Sequence, residues 1–387
     1  MKILYCAADQ TVPGTKGGSV HVAAVAEGLA ALGHDVHALV TQGGVFPSGG
    51  VRWVAMPPPL GRKELRWASG PAVQRLAARL RPDVIIERYY NFGGEGIGAA
   101  APVGATAVLE VNAPVIDYPG SAKGRLDRAL LVEPMRRWRE RICARADVIV
   151  TPAAAILPRD TPRTKIVEIE WGADTERFQP GAIGPLSFER PAPVVAVFAG
   201  AFRSWHGAVH LARAIRELHE KGRRDIGAVF IGDGPELAAV RQEARGLDGV
   251  IFTGALSHDR MPASLAACDI GVAPFDIGRH GPLSLGFYWS PLKIFEYMAA
   301  GLPVVAPAAE RIPALVGHER EGLLYSPSEP GALALALERL ANAELRRQLG
   351  AGARTRALRD YSWAAHCRSL EAAIEAARRR AHAPAQG

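Results

Sequence analysis

Short runs of aliphatic and β-branched residues alternate with longer segments of helical period from one end of the chain to the other. That alternation admits few architectures other than parallel α/β. Residues 2–8 read as a strand, followed by the loop Pro13-Gly14-Thr15-Lys16-Gly17-Gly18. A helix then spans about 19–32, where Val22, Val25, Ala26, Leu29 and Leu32 fall at steps of three and four, giving one apolar face. Gly33 stands where a left-handed helix cap is expected, and residues 35–40 supply the next strand, completing a βαβ unit. Strand-like runs recur at 83–86, 107–111 and 147–150. A second series begins at 194–200 and continues at 228–232, 250–253, 269–273 and 303–306.

Between the two series, residues 181–193 hold Pro185, Pro191, Pro193, Gly181 and Gly184 and no helical period, which reads as a linker. The chain has 387 residues, and at roughly 150 residues per domain two domains of the same construction are expected. Their boundaries are set at 1–185 and 186–360, with a C-terminal helix over 361–387 that packs back on the first domain. Two such domains facing each other would leave a cleft lined by strand carboxyl ends, where open α/β sheets bind ligands.

Hydrophobic residues at 48% and charged residues at 22% exclude general disorder. No apolar run approaches the ~18 residues of a membrane span. The opening residues read as a strand rather than a secretory leader. Cys6, Cys143, Cys268 and Cys367 are far apart, which fits reduced thiols better than a zinc site or a disulfide framework. A cytoplasmic protein is therefore expected. The net charge of +7 (46 minus 39) favours anionic partners, but no basic run interleaved with aromatics marks a nucleic-acid module.

Two loci carry chemistry. Gly17 and Gly18 precede a helix whose free amides and positive dipole end can hold an anion, although glycines in such turns also serve steric ends alone. The second is the segment 290–305. Ser290 can cap a helix, Pro291 suits its first position, and Gly301 ends it before a buried strand. Glu296 lies mid-helix among Ile294, Phe295 and Met298. A solvated surface carboxylate is the plain alternative, but crowding by apolar neighbours asks for a partner, and two ligand hydroxyls would serve.

Here the sequence resembles a known family. Glu296-Tyr297-Met298-Ala299-Ala300-Gly301-Leu302-Pro303-Val304-Val305 is similar to the E-x-M-A-x-G-x-P-V-V signature of GT-B glycosyltransferases of the large retaining family 4. Gly17-Gly18 with Gly33-His34-Asp35-Val36 resembles the family's opening. Trp171-Gly172-Ala173-Asp174-Thr175-Glu176-Arg177-Phe178 resembles the element leading into its linker. Glu110-Val111-Asn112-Ala113-Pro114, Gly232-Asp233-Gly234-Pro235, Phe252-Thr253-Gly254 and Gly322-Leu323-Leu324 follow in the family's order.

The resemblance implies a GT-B fold of two Rossmann-like domains and a nucleoside-diphosphate sugar, UDP- or GDP-linked, bound mainly by the second. It implies no further cofactor and no metal. By motif match, Glu296 would hold the ribose hydroxyls and Phe252, Thr253 and Gly254 would flank the base. Gly17 and Gly18 would meet the diphosphate across the cleft. Ser290, Pro291 and Leu292 would place helix-start amides at the phosphate and sugar.

Two positions depart from the family. Tyr288 stands eight residues before Glu296, where the family carries a glutamate touching the donor sugar. Ala201 and His206 stand where it carries a phosphate-binding arginine and lysine, with Arg203 shifted by two. The W-H-G loop (Trp205-His206-Gly207) together with Ser290-Pro291-Leu292-Lys293 resembles a subgroup, so the changes read as coordinated. Arg203 and Lys293 become the expected charge compensators for the departing diphosphate. Stabilising that leaving group is the main catalytic task of sugar transfer.

In the first domain no histidine follows the strand at 83–86. Arg88 is either a donor or acceptor contact or part of an ion pair near Glu87. Glu110 and Asn112 end a strand and suit an acceptor role, and His21 is either a sugar contact or a packed histidine. Residues 276–281 (Asp276-Ile277-Gly278-Arg279-His280-Gly281) suit a flap over the donor. The basic helix around 135–142, with Trp138, reads as a solvated face or as a peripheral contact with an anionic inner membrane face. The acceptor and the oligomeric state are not legible. Rival readings are a GT-B epimerase or sugar-nucleotide hydrolase, a two-lobed sugar-binding protein, and a dinucleotide oxidoreductase that lacks its glycine fingerprint.

Overall fold

Two all-parallel sheets organise the computed structural model, which describes residues 1–14, 16–118, 120–129, 133–279 and 281–382. The chain divides into two units. The first comprises Met1–Trp171, Tyr288–Ser290 and the last helix, and the second comprises Gly172–Phe287 and Pro291–Ser362.

In the first unit the strands are β1 (Lys2–Val12), β2 (Asp35–Gln42), β3 (Val51–Ala55), β4 (Val84–Arg88), β5 (Thr106–Glu110), β6 (Val148–Thr151) and β7 (Ile166–Glu168). They run in the order β3-β2-β1-β4-β5-β6-β7. Helices α1 (Gly17–Ala31), α2 (Gly70–Leu80), α3 (Glu95–Val103), α4 (Ala122–Ala129) and α5 (Glu133–Arg145) connect them. Every residue of β4 and β5 is buried, as expected of parallel strands covered on both faces. Gly33 caps α1 at φ +88, its amide on the carbonyl of Ala30 at 2.9 Å, so the cap read from sequence forms.

The second unit holds β8 (Val194–Ala199), β9 (Ile226–Ile231), β10 (Val250–Gly254), β11 (Ile270–Val272), β12 (Val304–Pro307) and β13 (Gly322–Tyr325), in the order β10-β9-β8-β11-β12-β13. Its helices are α6 (Ala208–Glu220), α7 (Leu237–Glu243), α8 (Met261–Ala266), α9 (Leu292–Ala299), α10 (Ile312–Leu315), α11 (Ala332–Arg339) and α12 (Ala343–Asp360). In each sheet the strand order reverses once, at β1/β4 and at β8/β11. Those are the points where an open parallel sheet parts its carboxyl-end loops and makes room for a ligand.

The final helix, α13 (Trp363–His382), belongs to the first unit. Cys367, Leu370, Ala373, Ile374 and Ala377 join the core formed by β1, β2 and α1. Gly28 permits this approach, because a Cβ there would collide with the Cys367 sulfur.

The basic helix read from the sequence is α5, and its tryptophan and one arginine are turned inward. The Trp138 indole donates to the Gly93 carbonyl at 2.9 Å. Arg139 is buried and donates to the Val115 carbonyl and to Asp117. Arg136, Arg137, Glu140 and Arg141 remain exposed, so α5 keeps a solvated face while Trp138 and Arg139 turn inward.

Candidate active site

At the β8/β11 switch point the chain leaves β8 through Gly200, at φ +139. A Cβ there would stand 3.1 Å from the Lys293 ammonium, so glycine is what lets this charge approach the turn. Lys293 comes from the first turn of α9. Its Nζ lies 4.2 Å from the Phe198 ring centre and 5.3 Å from that of Phe275. The Nζ is buried and has no hydrogen-bond partner among the described residues. Burial pulls its pKa from 10.5 down to about 7, against the opposing pull of Glu296.

Glu296, one turn along α9, is half-buried and accepts no hydrogen bond among the described residues. Burial lifts its carboxyl to about 7, with the Lys293 charge acting the other way. The backbone amides of Leu292 and Lys293, at the positive end of α9, likewise find no acceptor among the described residues. An unpaired ammonium, two unpaired amides and an unpaired carboxylate on one face of one helix can take an anion at one end and hydroxyls at the other.

The loop after β8 is held rigidly. Gly232, at φ +129, follows β9, and a Cβ there would collide with the Gly200 carbonyl. The Phe202 amide donates to the Asp233 carbonyl at 2.9 Å. Arg203 is exposed, its guanidinium 5.4 Å from the Trp205 ring, with no ion pair among the described residues. His206 Nδ1 donates to the carbonyl of Ala201. The two residues that replace the family's arginine and lysine are thus bonded to each other across the loop.

At the end of β10, the Phe252 ring stacks on Phe230 at 4.9 Å and carries the Arg241 guanidinium 4.6 Å from its centre. Its ring therefore belongs to the core, while Thr253 donates its hydroxyl to the Gly254 carbonyl at 2.8 Å. Gly254 turns the chain at φ +72. Asp276 meets His210 at 3.3 Å and Arg279 at 3.4 Å, and His280 lies outside the described residues.

Helix α9 begins one residue later than its sequence suggests. Pro291 is the N-cap, with no side-chain cap, and Leu292 is the first helical residue. Ser290 belongs to the first unit and bonds within it, accepting from the Trp171 amide at 3.0 Å and donating to Glu170 at 2.7 Å. Tyr288 also groups with the first unit, and burial pushes its hydroxyl up to about 12, so it stays protonated.

In the first unit His21, Arg88, Glu110 and Asn112 form one network. Arg88 donates to Glu110 at 2.8 Å and meets His21 Nδ1 at 3.2 Å. The hydroxyl of Tyr5 and the amide of Asn112 both donate to the same Glu110 carboxylate. The Trp171 indole donates to Asn112 at 2.7 Å, and its ring lies 4.4 Å from that of His21. His21 is fully buried, and burial together with the Arg88 charge holds its pKa well below the usual value, so it is neutral. The outer nitrogen of Arg88 would be 3.6 Å from a Cβ on Gly18, which places this network beside the glycine start of α1, while Gly17 lies near the Trp171 ring.

Arg88 and its neighbour Glu87 point to opposite faces of β4, as successive strand residues must. Glu87 therefore takes no part in this network. It accepts from the amides of Gly94, Gly96 and Ile97 at the start of α3 and lies 3.6 Å from buried Arg66. Tyr5 and Trp171 were not legible as site residues. A tyrosine inside the apolar run 3–8 was the available signal, because its hydroxyl needs a buried partner.

Among the described residues no group of three His, Cys, Asp or Glu side chains converges as a metal site, and no helix is long and apolar enough to cross a membrane.

Residues 15–177 match the family model described as Glycosyltransferase Family 4, and residues 193–343 match that described as Glycosyl transferases group 1. The 2-deoxystreptamine glucosyltransferase of Streptomyces kanamyceticus is 27% identical over 247 residues, and the match spans 61% of this chain but only 60% of that protein's length. The D-inositol 3-phosphate glycosyltransferase of Acidothermus cellulolyticus is 27% identical over 394 aligned residues, covering 90% of this chain and 83% of the other. Among solved structures, that of Anabaena HepE in complex with UDP superposes with a TM-score of 0.66 at 18% identity, covering 97% of this chain and all of that one, a likeness of fold.

Proposed function

We propose that this chain, a GT-B glycosyltransferase in its two domains and in its fold, moves a glycosyl group from a nucleoside-diphosphate sugar to an acceptor with retention of configuration. The observation that carries the reading is the unpaired Lys293 ammonium beside Gly200, with the unpaired amides of Leu292 and Lys293 at the same helix start. A pyrophosphate fits this set of donors, and Glu296 one turn away suits the hydroxyls of a ribose. The UDP bound to HepE, a neighbour in fold, supports the same class of donor.

Bond breaking leaves positive charge on the anomeric carbon and negative charge on the diphosphate. Lys293 and the α9 amides meet that negative charge from a fixed position, and Arg203, exposed on the neighbouring loop, adds to it. No protein nucleophile is required, since the departing phosphate can accept the acceptor's proton. The neutral hydroxyl of Tyr288 replaces a carboxylate at the donor sugar, so donor choice follows different contacts from those of the wider family. The Arg88–Glu110–Asn112 network beside Gly18 suits acceptor or donor hydroxyls. Turnover without added divalent metal, in a cytoplasmic enzyme, is part of the same reading.

The test is calorimetric titration of UDP and GDP into the wild-type protein and into Lys293→Met. One nucleotide should bind, and the substitution should weaken it at least tenfold. Binding of neither, or equal binding by both proteins, overturns the site. The anomeric configuration of the product, read by NMR, decides retention.

A further inference from the structure

Two cavities lie along α6 and α11 in the second unit, one of about 580 Å³ and one of about 370 Å³. Glu217, Tyr325, Ser326, Glu329 and Gly331 line both, so the two form one continuous groove. Of the groups that surround the Lys293 ammonium, the groove shares only Phe275. Leu292, Lys293 and Glu296 do not line it, so what binds here stands apart from the sugar-transfer reading.

The groove is polar but carries little free charge. Every cation that lines it meets a carboxylate. His210 lies 3.3 Å from Asp276, Arg213 3.1 Å from Glu243 and Lys221 2.8 Å from Glu217, while Arg339 and His318 both meet Glu319, at 2.6 and 3.9 Å. A phosphate therefore finds no unengaged cation. Of the acids in the groove, Glu329 alone has no ion pair among the described residues. Half-buried Tyr325, at the end of β13, has no hydrogen-bond partner for its hydroxyl among the described residues. Burial, and after it the Asp276 charge, push that hydroxyl up, so it stays protonated and can donate. Ser326 and Ser328 share one hydrogen bond at 3.0 Å, which leaves each hydroxyl with capacity for more. A peptide strand is poorly served, because β13 is the edge of its sheet and its outward Leu324 amide already donates to His318 Nδ1 at 3.0 Å.

We propose that this groove binds an oligosaccharide. The Tyr325 ring can stack on a pyranose face, its hydroxyl and those of Ser326 and Ser328 meet sugar hydroxyls, and the Glu329 carboxylate accepts from them. A neutral chain of hydroxyls asks for donors and acceptors side by side without net charge, and those are the groups the groove leaves unused. Its larger half falls in the range of roughly 300–1,000 Å³ that holds a small ligand. The smaller half extends it past Leu335 and Arg339 of α11, toward room for a further sugar ring.

The experiment is saturation-transfer difference NMR of the full chain with maltotetraose, mannotetraose and chitotetraose as probes. At least one should give a transfer signal that neither UDP nor GDP displaces, and titration of that signal reads its affinity. Tyr325→Phe should weaken binding about fivefold through the lost hydrogen bond, and Tyr325→Ala more than about tenfold through the lost ring as well. Glu329→Gln, at an exposed position that folding does not need, should weaken it about threefold. An unchanged melting curve checks the fold of each variant. Silence from all three probes overturns the proposal, as does a signal indifferent to these substitutions. Displacement by UDP or GDP would assign the sugar to the α9 site and overturn it too.

Discussion

Lys293→Met should make the unliganded protein more stable while disabling it. The wild-type ammonium is buried without a hydrogen bond, and its pKa lies at about 7 instead of 10.5. At 1.36 kcal/mol per pKa unit, that displacement corresponds to about 5 kcal/mol held against folding when the lysine is protonated. The folded state binds this proton less well than the unfolded chain does. The cost is therefore full below pH 7, shrinks between 7 and 10.5, and is absent above. Methionine keeps the length of the side chain and its contact with Phe198 and Phe275 without the charge. Glu296, lifted to about 7, is already mostly protonated near pH 6, so losing the cation changes its ionisation little and about 5 kcal/mol of gain stands there. For a unit of this size that amounts to a rise in Tm of roughly 10–20 °C. Calorimetric melts of the two proteins at about pH 6 and about pH 9 read the sign directly, since the gain should fall to about 2 kcal/mol at the higher pH. A variant that melts at or below the wild type near pH 6 would refute the reasoning. So would a gain that does not shrink with pH.

Four further outcomes are expected. Glu296→Gln should weaken nucleoside-diphosphate binding by about 1–3 kcal/mol through lost charge-assisted hydrogen bonds, measured by titration calorimetry. Because Glu296 ionises and Lys293 deprotonates both at about 7, nucleotide affinity should rise and then fall as pH crosses that region, and a flat profile from about pH 5 to 9 would disprove the pairing. Arg203→Ala should lower kcat with little change in the donor KM, as steady-state kinetics will show, and an effect confined to KM would place this residue in ground-state binding. Glu110→Gln removes the charge that meets buried Arg88 and should cost about 3–5 kcal/mol in chemical denaturation, whereas Asn112→Ala should cost much less.

The parallel α/β architecture, the second repeat of it and the helix ending at Gly301 are local in origin. Hydrophobic period, turn chemistry and capping residues all lie within a few positions of the elements they specify, so they could be read in order along the chain. The short edge strands β3, β7 and β13 were not legible, because three to five residues are too few to show a period of their own and become strands only by pairing with a neighbour. Phe252 illustrates the same limit, for its motif position suggested a ligand contact while Phe230 and Arg241 occupy its two faces.

Motif order also indicated that Lys293 and Glu296 belong to the chemistry, and nothing more could be had from spacing, since i and i+3 on a helix state only that two side chains are neighbours. That the ammonium is buried, unpaired and beside a glycine turn depends on β8 and β11 bringing residues 198, 200 and 275 to it. Ser290 shows the converse: its sequence context specifies a cap, yet Glu170, 120 positions away, accepts its hydrogen bond. Local pattern decides which element forms because backbone propensities act over one or two turns. The pairing and protonation of a buried charge are decided by whatever distant segments exclude water from it, and only the folded chain contains those.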